Sequence, residues 1–160
     1  FEGGQMARDQ TVFVDDDGRA YQFYSSENNE TMYISLLTDD YLKPSGRFTR
    51  NFVKESREAP AVFKYNGKYY FSYSTGDTHL LCYAIGDNPY GPFTYQGVIL
   101  TPVVGWTTHH AIVEFKGKWY LFHHDCVPSE GKTWLRSLKV CELQYDADGR
   151  IITIEGIDKL

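Results

Sequence analysis

The sequence predicts an all-β chain and, within that class, about three four-stranded blades of a β-propeller. Two observations carry this. A hairpin-like segment occurs three times at a spacing of about 50 residues, the size of one propeller blade. Aromatic residues make up 16% of the 160, with 13 Tyr and 10 Phe beside 14 Gly, a composition suited to sheets joined by tight turns. A β-sandwich would supply similar strands and turns, but not the same hairpin at even spacing.

The three copies are TVFVDDDGRAYQFYSS (residues 11–26), PAVFKYNGKYYFSYST (60–75) and HAIVEFKGKWYLFHHD (110–125). Each is a short apolar strand, a turn ending in Gly, a basic residue and an aromatic-rich strand. The turn glycines are Gly18, Gly67 and Gly117, followed by Arg19, Lys68 or Lys118, and two positions later by Tyr21, Tyr70 or Tyr120. Asn66-Gly67 predicts a type I′ hairpin turn, because both residues tolerate positive φ. A third strand is expected at 32–37, 80–85 and 135–143, each rich in β-branched, aromatic and leucyl positions. Polar turns follow, and a fourth strand completes each unit, most clearly at 94–100 and 150–154. The units run roughly over 7–55, 56–105 and 106–160 of a single partial domain. Closed propellers have typically 4–8 blades, so three blades make an incomplete ring with an open edge.

Composition narrows the partners. The chain carries 16 basic against 21 acidic side chains, net −5, with no Lys/Arg cluster, which argues against nucleic acid or an anionic membrane. No apolar run approaches the roughly 18 residues of a membrane span. Cys82, Cys126 and Cys141 form no CxxC pair and read as three buried free thiols. No charged-then-apolar leader follows Phe1, so a signal peptide is either removed or outside this segment; a secreted or periplasmic location is favoured slightly over a cytoplasmic one. Oligomeric state is not legible.

The repeat also locates a site. The first strand of each blade lines the central channel, so residues leading into it converge at one mouth. Nine positions before the turn glycines stand Asp9, Glu58 and Thr108, with His109 next to the last. Two carboxylates facing one cavity suit glycosidic bond cleavage: one donates a proton to the leaving oxygen, and an ionised neighbour keeps that proton in place. The alternative is that Arg8-Asp9 and Arg57-Glu58 are local ion pairs tying strand ends, or turn caps. Trp106 could stack on a sugar face or anchor a loop. His79 reads as a surface histidine. The doublets His109-His110 and His123-His124 each offer at most one ligand to any one site, since neighbours on a strand point to opposite faces, and zinc catalysis is not expected. Asp15, Asp16 and Asp17 read as a solvated acidic turn.

The segments ARDQTVFVDDDG, REAPAVFKYNGKYY, YGPFTYQGVIL and HHAIVEFKGKWYLF resemble glycoside hydrolase family 43 over nearly the whole chain. The resemblance implies the C-terminal portion of a five-bladed propeller that hydrolyses arabinose-, xylose- or galactose-containing oligosaccharides and polysaccharides with inversion. It implies Glu58 as general acid and Asp9 as the carboxylate that orients and modulates its pKa. It implies His109 as a metal-holding residue (calcium, partly through water), and Arg136 and His124 as groups reaching the substrate. Gly often follows the family's acid where this chain has Ala59, and His123 stands where Tyr is expected before His124. No residue matches the family's general base. That blade is expected upstream, and the isolated chain is expected to turn over little or nothing. The first portion looks more like members acting on galactans, the later portion more like xylosidases and arabinofuranosidases. A non-catalytic carbohydrate-binding propeller is the alternative, and retention of both Asp9 and Glu58 speaks against it. A protein-interaction propeller fits least.

Overall fold

The structure, a computed structural model, describes residues 8–25, 31–106 and 108–156. The first and last positions expected for the repeat units, 7 and 157–160, lie outside them, as do Ser26 and Thr107. The first blade comprises β1 (Arg8–Val14), β2 (Ala20–Ser25), β3 (Thr31–Leu37) and β4 (Pro44–Phe52). The second comprises β5 (Glu58–Tyr65), β6 (Lys68–Ser74), β7 (Leu81–Gly86) and β8 (Thr94–Leu100). The third has β9 (His110–Phe115), β10 (Lys118–Asp125) and, after a 3-10 turn at Val127–Ser129, β11 (Ser137–Leu143). Strands follow one another in sequence order within each sheet and pair antiparallel. The inner strands are neighbours, β1 against β5 and β5 against β9. This is the propeller arrangement that the repeat predicts.

The third sheet departs from expectation. Among the described residues three strands form there, and residues 150–154 contribute two isolated bridges in place of a continuous fourth. Ile151 bridges back to Tyr145, and its amide donates to the Tyr83 hydroxyl at 3.0 Å. Ile154 then pairs parallel with Leu100 of β8: its N–H reaches the Ile99 carbonyl at 2.8 Å, and Thr101 N–H reaches its carbonyl at 3.0 Å. The segment is thus shared: residues 150–152 pair back with 144–146 of their own blade, through Asp146 N–H to the Arg150 carbonyl and Ile152 N–H to the Gln144 carbonyl, and the open edge of β8 takes the stretch around Ile154. β11 also begins two residues later than expected, because Leu135 N–H is held in a turn by the Lys132 carbonyl.

Alternation along the middle blade sorts its side chains between two cores. Tyr69, Phe71 and Tyr73 of β6, with Cys82 and Ala84 of β7, pack against Tyr21, Phe23, Met32 and Ile34 of the first blade. Tyr70, Leu81 and Tyr83 face the other way, against Ile112, Leu121 and Leu143 of the third. The tyrosine hydroxyls are also used: Tyr69 donates to Asp15, Tyr70 to the Gly149 carbonyl at 2.6 Å, and Tyr73 to the Lys54 carbonyl at 2.7 Å. The face of the third blade turned away from the second presents Val113, Phe115, Leu138 and Val140 to solvent. All three cysteines are free thiols; Cys82 and Cys126 are buried as expected, whereas Cys141, on the outer strand β11, is only partly buried.

The three turns are not identical. Asn66 (φ 48°) and Gly67 (φ 73°), like Lys116 (φ 53°) and Gly117 (φ 77°), form two-residue turns with both residues left-handed, the type I′ signature. In the first hairpin Gly18 N–H bonds the Asp15 carbonyl and Asp15 N–H bonds the Arg19 carbonyl, each at 2.9 Å. That is a three-residue turn, one longer than the others.

Candidate active site

The longer first turn changes which residues correspond. Counting back from the glycines pairs Asp9 with Glu58. Strand register instead pairs Asp9 with Ala59 and His109, and Arg8 with Glu58 and Thr108. Backbone conformation agrees. Asp9 (φ 54°) and Ala59 (φ 52°) are both left-handed, and each sits in a bulge of its inner strand, between Arg8 and Thr11 in β1 and between Glu58 and Ala61 in β5. Such bulges re-aim side chains. They bring Asp9 and Glu58 together although the two are not equivalent positions.

The carboxylates of Asp9 and Glu58 and the imidazole of His109 converge, with one ligand-type atom of each within 4.8 Å of the others. His109 Nε2 lies 4.0 Å from Glu58 Oε1. The Glu58 side chain is 19% exposed and that of His109 39%, so the group is reachable but sheltered. Ala59 N–H donates to Asp9 Oδ2 at 3.1 Å, tying the first blade's carboxylate to the residue beside the second blade's. No ion pair links Arg8 to Asp9 or Arg57 to Glu58, so the reading of these doublets as local ion pairs does not hold. Asp9 and His109 open onto a cleft of about 330 Å³ that runs down the inner strands past Thr11, Ala61 and Ala111.

The third blade supports this group from behind. His109 N–H donates to His124 Nε2 at 3.1 Å, which places the His124 proton on Nδ1. Burial, then the nearby Arg136 charge, pushes His124 down to about 4, so the ring is neutral and able to accept. Arg136 itself is exposed, its Nε donating to the Thr133 carbonyl at 3.3 Å. Trp106 is 67% exposed and meets the His79 ring edge-on at 5.4 Å; His79 Nδ1 contacts the Trp106 carbonyl, so His79 holds this loop and is not a free surface residue. His123, in the place of the expected Tyr, is buried, with Nε2 3.7 Å from Cys141 Sγ. His110, the other half of its doublet, faces Ser72, its Nε2 2.7 Å from Oγ, and burial pushes it down to about 3.

The acidic turn also differs from expectation. Asp16 and Asp17 are exposed, but Asp15 is not. It accepts from the Tyr69 hydroxyl at 2.5 Å and from Lys64 Nζ at 3.0 Å, both on the second blade. Burial raises its carboxyl, and the Tyr69 and Lys64 hydrogen bonds outweigh that, leaving it below the usual carboxylate range. Asp15 fastens two blades at the end of β1 remote from Asp9. Sequence reasoning also missed the Ala59 amide as the anchor of Asp9; the glycine common at that position was the available signal.

Among the described residues, Asp9, Glu58 and His109 are the one such group spaced to hold a metal ion. Two carboxylates and an imidazole fit a divalent cation in charge and spacing. Calcium takes 6–8 oxygens, so water would have to supply most of its shell here.

Residues 2–151 match the model of the glycosyl hydrolases family 43. A protein from Bacteroides ovatus named xylosidase/arabinosidase is 93% identical over 126 residues, covering 78% of this chain and 38% of that protein. A beta-xylosidase from Xylanibacter ruminicola is 51% identical over 190 positions, covering 95% of this chain and 59% of its own length. That alignment is longer than the chain, so the relative carries residues within the matched span that this chain lacks. The fold matches a beta-xylosidase/alpha-arabinofuranosidase from a compost microbial metagenome, solved with xylotriose in a calcium-free form, at a TM-score of 0.87 and 43% identity over 93% of this chain and 58% of that one. This chain thus spans less than two thirds of the length of each. Bulged inner strands, converging carboxylates and these matches lead to one assignment: the chain belongs to glycosyl hydrolase family 43.

Proposed function

We propose that the full gene product hydrolyses glycosidic bonds in xylose- or arabinose-containing oligosaccharides, with inversion, and that this chain supplies the acid half of the machinery. The observation that carries the reading is the convergence of Asp9, Glu58 and His109 at the mouth of the inner-strand cleft. Glu58 donates its proton to the leaving glycosidic oxygen as the bond from the anomeric carbon breaks. Water attacks the opposite face of the sugar and gives its proton to a base. Asp9 is not that base. Inverting pairs stand about 6.5–9.5 Å apart to leave room for water, and Asp9 lies within 4.8 Å of Glu58. Held by the Ala59 amide, it orients the acid and sets a negative charge against it. The base is proposed to come from outside the described residues.

Arg136 and Trp106, on exposed loops of the third blade, are proposed to contact the sugar, and His124 to fix His109 through its amide. Where a calcium ion binds, His109 would hold it with water completing the shell, and the ion would supply positive charge near the two carboxylates. The relatives' names favour xylose and arabinose over galactose.

The test is Glu58→Gln in the full gene product. Turnover of xylo-oligosaccharides, whose leaving group needs a proton, should fall about 10²–10⁴-fold, while aryl xylosides with good leaving groups lose far less. Normal rates on the oligosaccharides would sink the assignment of Glu58 as the acid, whereas a wild-type full gene product that binds them without turnover would favour a carbohydrate-binding propeller.

A further inference from the structure

Two serines on β6 do not touch the cleft, yet both reach across to the third blade on either side of His109. Ser74 is 2% exposed, and its hydroxyl donates to the Thr108 carbonyl at 2.5 Å. Ser72 is fully buried, with Oγ 2.7 Å from His110 Nε2 and 3.3 Å from the Ala61 carbonyl. The Ser72 hydroxyl has one proton. Both contacts are satisfied when that proton goes to Ala61 and His110 donates from Nε2. His110 Nδ1 is then a bare acceptor, in keeping with its lack of a partner. The amide between these two contacts, that of His109, is taken by His124. Residues 108–110 are thus fixed at three successive points.

Ser74 and Ser72 are also the register partners of Glu58 and Ala61, the two ends of the bulge that aims the acid. One strand therefore carries the acid's segment on its backbone ladder and the imidazole's segment on its side chains. Nothing about strand β6 itself requires serine there. Its neighbours Phe71 and Tyr73 fill the core, and small apolar residues would pack as well.

We propose that Ser74, with Ser72, is a positioning residue: the pair clamps the third blade's inner strand to β6 and so sets the separation between Glu58 and His109. This rests on Glu58 being the general acid. The geometry needed for proton donation is strict, and misplacement by about 1 Å can cost on the order of a hundredfold in rate. The clamp fixes that distance across an interface between two separate sheets, where no backbone ladder can.

The experiment compares kcat of the full gene product on xylobiose and on dinitrophenyl xyloside. Ser74→Ala should lower kcat on xylobiose about tenfold or more and on the activated substrate less than about threefold. A purely structural role would lower both equally through loss of folded enzyme. Equal losses, or none, overturn the clamp. Should Ser74→Ala fail to fold, Ser72→Ala leaves the Thr108 carbonyl its donor and is read by the same ratio. Glu58→Gln runs alongside. If it shows the split and the serine variants do not, the clamp alone is wrong; if it shows none, the acid assignment has failed and the clamp falls with it.

Discussion

At the scale of single residues, the site depends on two backbone positions that ordinary residues avoid. Asp9 and Ala59 lie at φ 54° and 52°, a region that costs a non-glycine residue about 1–2 kcal/mol. The family's frequent glycine after the acid now has a physical reason, since only glycine takes that conformation freely. Ala59→Gly should therefore raise stability slightly, by up to about 1 kcal/mol, with activity kept. Ala59→Val should lower it by about 1–2 kcal/mol, because a β-branched side chain resists positive φ further. Thermal denaturation of the two variants checks the pair, and equal melting temperatures would contradict the strain. Glu58, Asp9 and His109 were legible in the sequence because acidic and imidazole groups at the start of apolar strands have few structural uses. Their true correspondence was not. It depends on a bulge, which places side chains without leaving a mark in the residue types.

At the scale of elements, the hairpins were the most legible feature. Glycine after a polar residue, between apolar and aromatic runs, has few other readings, and the expected strands 94–100 and 32–37 lie within one residue of those formed. What failed was what depends on contacts between elements. The extra residue of the first turn shifted the inner strand by one. Residues 150–154 carry strand-forming side chains but divide their pairing, Ile151 with Tyr145 of the same blade and Ile154 with Leu100 of β8. Asp15 looked solvated, yet it accepts from Tyr69 and Lys64 on the next blade. Asp15→Asn keeps the shape and removes the charge, so it should cost about 1–3 kcal/mol by weakening two charge-assisted hydrogen bonds between the first and second blades. Chemical denaturation would measure it; a loss no larger than that of an exposed control such as Asp16→Asn would mean that the network contributes nothing.

At the scale of the whole molecule, the third blade carries neutral imidazoles, His110 against the second blade and His124 behind His109. Burial lowers His110 to about 3 and His124 to about 4, from an ordinary value near 6.5. Below pH 6.5 the unfolded chain takes up protons that the folded chain refuses, so stability is complete above pH 6.5 and is lost as pH falls toward those folded values. The melting temperature should drop by several degrees between pH 6.5 and about 4.5, above the window in which carboxylates such as Asp15 titrate. His110→Gln, which keeps a polar group for Ser72, should flatten that slope; a wild-type melting temperature constant over the interval would contradict it. The parallel bridge from Ile154 to Leu100 also bears on how the chain is made. The outer edge of β8 finds its partner only when a segment more than 50 residues further along has been synthesised, and Thr153 and Gly156 reinforce that closure through Val98 and Thr101. At ribosomal speeds of roughly 5–20 residues per second, the middle blade waits for some seconds with an exposed strand edge. The pace of translation therefore sets how long that edge stays open to other strands.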